Sequence, residues 1–493
     1  MNLKESFVYK NASLILPRIL LVLSLYIIYC IIRDIRETVV LSANSAGAEV
    51  IPFLKFWAML PSAIIITGLF TRLSRRFNSE KATYIIMGSF LAYFFCFAFF
   101  IFPNLEAWCF LDLSERMMNY LPSGFAGMVN MICNWPISVF YVLSGLWATI
   151  VVALLFWGII NQVSTPEHAS SSYGILKIGG TLSASVAGVL ATLLRQDTFT
   201  ELLPFGKTAW EQTLMKETLF VMLLGCLSFY LFRMIYNSAN AAVDANGGNK
   251  KNLEFSLRKS IRYILQSRYL TCMAILVFGF TFIYDLSDVL WKAQIRKAFD
   301  NPNEIMGYLN KITFILGLIS LAATIISPWI ISRFGWKTLA IITPITILVS
   351  SAGFFIFLLW EGSLNTYSMH LFGMSALSFS VFLGALQSCL GRAAKYSVFD
   401  VSKEIAFTPL DLELRWNGKA AIDGLGNDVA RVGAASVHQV AIIFFGSIFF
   451  SAPFIAALII GYLLVWLGAV NYIGEQYNKM TGRVDLEVTE EAC

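Results

Sequence analysis

N-S-A-N-A-A-V-D-A-N-G-G-N-K-K-N-L-E-F-S-L-R-K-S-I-R, residues 237–262, is the longest hydrophilic connection in the chain. Its Asn, Ala and Gly content reads as a flexible linker, and the closing R-K-S-I-R as a basic amphipathic segment lying on a membrane surface. Reading outward in both directions, the sequence turns apolar in runs of about 20 residues, the length a helix needs to cross a bilayer. Such runs centre near residues 24, 62, 92, 147, 183 and 224 before the linker, and near 280, 320, 348, 380, 439 and 462 after it. The final two are joined by a short connection around Ser451 to Ala452. Six spans, a central linker and six more spans is the layout of a major-facilitator-like carrier, in which two helical halves enclose a midplane site.

Composition agrees. The 493 residues are 57% hydrophobic, 15% aromatic and only 14% charged, with a mean hydropathy of +0.68. This is an all-α polytopic membrane protein of about twelve spans, outside the range of soluble domains. The expected organisation is an N-terminal six-helix half (1–236), the linker (237–262), a C-terminal six-helix half (263–475) and a cytoplasmic tail (476–493). Lys and Arg favour the side holding the termini by about 21 to about 8, which puts both termini in the cytoplasm. Residues 1–11 are polar and the apolar run that follows is too long for a signal peptide.

Several classes are excluded. A net charge of +5 suits loops facing anionic lipid rather than nucleic acid. The eight Cys include no C-x-x-C, and none of the three His is paired at metal-ligand spacing, so neither a metal nor a cofactor is expected. N-G-K-A (417–420) is not a phosphate loop, since G-x-x-x-x-G-K-[ST] needs Gly and Ser or Thr where Glu413 and Ala420 stand. No nucleophile stands beside a base, so the chain is not read as an enzyme.

The chemistry lies in charges placed among apolar residues, where each is costly against lipid and is explained by a cavity, a partner charge or the interface. Arg36, Lys55, Lys177, Lys311, Lys419 and Arg431 are such bases, and Asp34, Glu37, Asp285, Asp288, Asp423 and Asp428 are candidate partners. Together they suit a basic vestibule for a polyanion, gated by salt bridges that form and break. The competing reading is snorkelling plus structural ion pairs, and it is preferred for Arg33, Lys292 and Arg296 near span ends. Placement recurs between the halves: R-D-I-R-E (33–37) closes the first span and D-L-S-D-V-L-W-K (285–292) the seventh, while Lys55 and Lys311 stand early in the second and eighth. Gly418, Gly424, Gly426 and Gly433 around Lys419 and Arg431 permit close packing or local unwinding.

With these residues in view, the chain resembles the ATP/ADP translocase, or nucleotide transporter, family of obligate intracellular bacteria and plastids. The resemblance runs over roughly residues 20–475. It is carried by G-A-E-V-I-P-F-L-K-F-W (47–57), A-L-L-F-W-G-I-I-N-Q-V (153–163), D-V-L-W-K (288–292), K-Y-S-V-F-D-V-S-K-E-I-A-F-T-P-L-D (395–411) and G-K-A-A-I-D (418–423). It implies a twelve-helix carrier that exchanges ATP for ADP, or moves a related nucleotide, by alternating access. Alternatives are a proton-linked nucleoside triphosphate or NAD carrier of the same family, and a carrier of another small organic anion.

The family's first-span pattern resembles L-R-D-x-K-D, so Arg36 and Glu37 stand for its Lys and Asp. Its A-E-L-W reads S-G-L-W here, leaving Gly145 in place of the acid, and its seventh-span Glu is Asp288. Lys419 is retained, whereas R-x-G-K-S-G-G becomes D-V-A-R-V-G-A with Asp428 and Arg431. E-A-K-R-F-Y becomes H-A-S-S-S-Y (168–173), and Lys177 stands where the family has Gly. The expected phosphate contacts are Arg36, Lys55, Lys177, Lys419 and Arg431. The expected gating or coupling groups are Asp34, Glu37, Asp288, Lys311, Asp423 and Asp428. Lys395–Asp411 is expected to be a solvated cytoplasmic loop.

Overall fold

The computed structural model describes residues 12–43, 47–77, 79–163, 166–243, 266–411, 415 and 418–481; among them every regular element is a helix. Among the described residues, eleven helices are long and apolar enough to cross a membrane, and a shorter apolar helix occupies the fifth position. In chain order they are α1 (Ile15–Ser42), α2 (Val50–Phe70), α3 (Glu80–Trp108), α4 (Trp135–Asn161), α5 (Ile178–Leu194) and α6 (Ala209–Asn237). After residue 265 come α7 (Arg268–Ala298), α8 (Pro302–Ile326), α9 (Gly335–Leu359), α10 (Ala376–Phe407), α11 (Ala421–Phe445) and α12 (Ile448–Met480). The apolar runs become helices because only a helix satisfies its own backbone groups where water is absent.

Glycine punctuates the series. The helical run Pro302–Leu359 breaks at Gly335, whose φ of 77° is open to glycine and costly for other residues. Gly446, with φ of 78°, turns the chain from α11 into α12. That turn falls ahead of the Ser451 to Ala452 connection expected from hydropathy, because Ser451 and Ala452 are buried inside α12. Of the linker, residues 237–243 continue the helix Ala209–Val243, and 244–262 lie outside the described residues, as do 482–493 of the tail.

One expectation is corrected. Lys395–Asp411 is for the most part helix: Ala376–Ala394 continues through a π-helical turn, Lys395–Phe399, into Asp400–Phe407. Helical spacing puts Arg392, Lys395, Phe399 and Lys403 on one face. Val398, Phe399, Ala406 and Phe407 are buried, and that burial holds the charged segment in α10 where hydrophilicity alone suggested a loop.

The chain divides into two compact units, one made of Met1–Lys250 with Phe299–Leu318 and the other of Lys251–Ala298 with Ile319–Cys493. In the first, α1 packs against α4, α5 and α6. Leu21, Leu25 and Ile28 of α1 are fully buried, and the Trp147 indole of α4 donates to the Leu25 carbonyl at 3.3 Å. The opening turns of α8 join this unit through small residues: a Cβ on Gly188 of α5 would stand 2.6 Å from the Asn310 carbonyl oxygen. In the second unit, α7 packs against α10, α11 and α12. The Trp291 indole donates to the Val381 carbonyl at 3.0 Å, and the Tyr462 hydroxyl to the Ile275 carbonyl at 2.9 Å. Each unit therefore buries at its centre a helix that carries a run of intramembrane charge, α1 in the first and α7 in the second.

Candidate functional site

In the first unit the charge lies on α1. The Arg36 Nη2 donates to Glu37 Oε1 at 2.7 Å, with Nε at 3.2 Å. The Arg36 guanidinium carbon sits 4.5 Å from the Tyr141 ring centre of α4. One helical turn beyond Tyr141 is Gly145, and a Cβ there would lie 2.9 Å from Arg36 Nη1 and 2.8 Å from the Met59 methyl. The long planar arginine thus lies over a notch that the glycine leaves open, cation against the aromatic face. Arg36 is 9% exposed and Glu37 4%, and a buried ion pair of this kind persists only with good geometry.

Three residues earlier, Arg33 Nε donates to Asp34 Oδ1 at 2.9 Å and Nη2 to the Thr313 hydroxyl at 2.6 Å. Thr313 in turn donates to Asp34 Oδ2 at 2.6 Å. Arg33 is therefore locked to its neighbour and to α8, with its side chain 12% exposed, and does not snorkel. Lys55 is half-buried on the π-helical stretch Leu54–Met59, one turn before Met59.

The second unit holds more of the expected residues. Asp285, Asp288 and Lys292 of α7 are buried at helical spacing along one side. Lys292 Nζ lies 2.7 Å from Asp288 Oδ2, so Lys292 too is an interior partner rather than a snorkelling end. Arg431 of α11 stands 4.0 Å from Asp285 and 3.5 Å from Asp428. Lys419 pairs with Glu404 at 2.6 Å, and Asp423, on the π-helical turn Ala420–Leu425, with Lys403 at 2.7 Å. Local unwinding expected from the glycines near Lys419 is thus present as a π-helical turn, a distortion frequent at functional sites.

Polar groups continue the surface. Arg392 Nε donates to the Tyr284 hydroxyl at 2.6 Å, and Lys395 Nζ sits 5.1 Å from the Phe280 ring centre. Gln387 donates to Ser287 at 2.9 Å and to Ser351 at 2.7 Å. A void with room for about one water is lined by Tyr284, Ser287, Asp288, Trp291, Gln387 and Ser388.

The structure brings Asp288, Lys419, Asp423, Asp428 and Arg431 onto α7, α11 and the segment leading into α11. It places Asp34, Arg36 and Glu37 together on α1. Lys311 is exposed and joins neither group, and the Lys177 side chain lies outside the described residues. Lys395, Lys403 and Glu404 fall in the stretch expected to be a loop, and Arg392 lies one turn before it, so none of the four stands among the expected site residues. The signal was present as a basic row at helical spacing, 392, 395 and 403.

What this architecture defines is a class: an all-helical, multi-pass membrane protein with a major-facilitator-like fold. Two solved structures share the fold, the nucleoside transporter NupG (TM-score 0.57, 12% identity, 93% of this chain and 99% of that one) and a D-xylose-proton symporter (TM-score 0.54, 14% identity, 95% and 97%). The family follows from sequence: the model of the TLC ATP/ADP transporters matches residues 8–477, and the chain belongs to that family. The ADP,ATP carrier protein 2 of Chlamydia pneumoniae is 31% identical over 95% of this chain and 90% of its own length. The plastidic ATP/ADP-transporter of Solanum tuberosum is 30% identical over 93% and 72%. Membership places the chain among transporters, not enzymes.

Proposed function

We propose that this carrier moves nucleotides across the inner membrane by alternating access, exchanging ATP for ADP or a nucleotide of similar charge, with both termini cytoplasmic. The observation that carries the reading, beside the family, is that the candidate phosphate-binding bases in both units are held by carboxylates: Arg36 by Glu37, Lys419 by Glu404, Arg431 by Asp285 and Asp428. Arg36, which is buried, needs an anion at every stage of a transport cycle, whereas the half-exposed Lys419 and Arg431 also meet water, so their carboxylates are exchanged for phosphate more readily. A nucleotide's phosphates replace the carboxylates as the site loads, and the carboxylates return as it empties. The empty carrier so keeps its charges compensated, while the arginine forks grip phosphate with two bonds and lysines with one point charge. Lys55 and Lys177 are the further candidate phosphate contacts of the first unit, and Asp34, Glu37, Lys311, Asp288, Asp423 and Asp428 serve as gating or coupling groups.

The test is uptake of labelled nucleotide by liposomes containing the purified chain, with Lys419→Ala beside the wild type. The expected result is uptake by the wild type and its near abolition in the variant at equal membrane insertion. Wild-type rates in Lys419→Ala would remove Lys419 from the site.

A further inference from the structure

Glu217 of α6 is unlike the paired charges described so far. It is fully buried, and neither carboxylate oxygen has a hydrogen-bond partner among the described residues. The Asn310 carboxamide of α8 stands beside it, likewise fully buried, and neither its oxygen nor its nitrogen completes a hydrogen bond. Among the described residues, the charged groups that act on Glu217 are Asp34 of α1 and Lys216 of α6; α3 and α5, which also pack on α6, contribute none.

Neither of those charges can neutralise a Glu217 carboxylate. Asp34 has the same sign and is held by Arg33 and Thr313. Lys216 is the adjacent residue, projecting about 100° away around the helix, and its ammonium donates to Gln196 Oε1 at 3.1 Å. An ionised carboxylate without hydrogen bonds or counter-charge is not sustained in a dry interior, so the group is held there as the neutral acid. Asp34, by contrast, belongs to a lock: with Arg33 and Thr313 it joins α1 to the opening turns of α8, on which Asn310 also lies. If α1 or α8 moves, Arg33, Thr313 and Asn310 become available to a second carboxylate.

We propose that Glu217 is a proton-binding site that couples this carrier to a proton gradient: it takes up one proton in the state described here and releases it when the Arg33–Asp34–Thr313 lock opens. In that exchange Glu217–COOH becomes Glu217–COO⁻ plus a proton, and the charge that appears is met by Arg33 or by hydrogen bonds from Thr313 and Asn310. The inference rests on the transporter reading above and adds to it a driving ion and the residue that carries it.

Two measurements separate the proton site from the nucleotide reading. Infrared titration of the purified full-length chain, with no nucleotide present, should show a protonated-carboxyl C=O band that titrates with pH and is missing from Glu217→Gln. In liposomes, an inward proton gradient should raise wild-type nucleotide accumulation by up to about tenfold per pH unit for one coupled proton. Glu217→Gln should lose that response and keep exchange at equal pH. Asn310→Leu, which leaves the acid in place, serves if the glutamine variant does not fold, and should keep the band but shift its midpoint. A band that persists in Glu217→Gln, a band that does not titrate, a gradient response unchanged in the variant, or a response to sodium instead of protons would each overturn the proposal. Absence of any nucleotide flux in the wild type contradicts the nucleotide reading instead, and the band alone then decides on Glu217.

Discussion

Arg36 and Gly145 are best understood together. A glycine in α4 opens a notch that the Arg36 guanidinium covers, with the Met59 methyl close by, while the charge of Arg36 is answered from its own helix by Glu37. The resemblance to the family places an acid at 145 and a lysine at 36, so a longer base with an adjacent acid and a vacated neighbour is a self-consistent replacement. Gly145→Ala is therefore expected to cost about 1–3 kcal/mol by overpacking, read as a lower melting temperature of the solubilised protein. Arg36→Lys in the same background should recover most of that loss, a coupling that a double-mutant cycle measures. At this scale the sequence displayed the charges but not their partners. Glu217 sits early in α6 among polar residues, in A-W-E-Q-T-L-M-K-E-T, and reads as interfacial, yet it is completely buried; only the packing of α1 and α8 over it reveals that. Lys292 near the end of α7 misleads in the same way.

Helices α7 and α10 show what pattern reading yields for an element. The apolar runs locate all of the spans, because hydropathy over about 20 residues measures the same burial that the bilayer imposes. It fails on Lys395–Asp411, where five charges, Lys395, Asp400, Lys403, Glu404 and Asp411, outweigh the buried Val398, Phe399, Ala406 and Phe407 in any hydropathy average. Those charges are tolerated in α10 because Lys403 finds Asp423 and Glu404 finds Lys419. Ser397→Pro should accordingly break a helix rather than a loop, costing about 3 kcal/mol or more, whereas a proline accepted without loss of thermal stability would restore the loop. On α7, Lys292→Met leaves Asp288 without its closest cation and is expected to cost about 3–5 kcal/mol, and adding Asp288→Asn should return much of it. The same melting measurement checks both.

Across the whole molecule, the family and the helical carrier fold are established, and the two units each centre on a charged helix, α1 in one and α7 in the other. The all-helical, major-facilitator-like fold was legible from the spacing of the apolar runs. Which bases meet which acids was not, since those pairs join residues on separate helices, such as Lys403 to Asp423 and Arg431 to Asp285. If carboxylates stand in for phosphates in the empty carrier, the transported species is a polyanion carrying a nucleoside. The most direct measurement is a screen of labelled ATP, ADP, GTP, UTP, CTP and NAD for uptake into liposomes, with and without unlabelled nucleotide inside. Saturable uptake of at least one of them, accelerated by internal nucleotide, is the predicted result; no uptake of any of the six would contradict it.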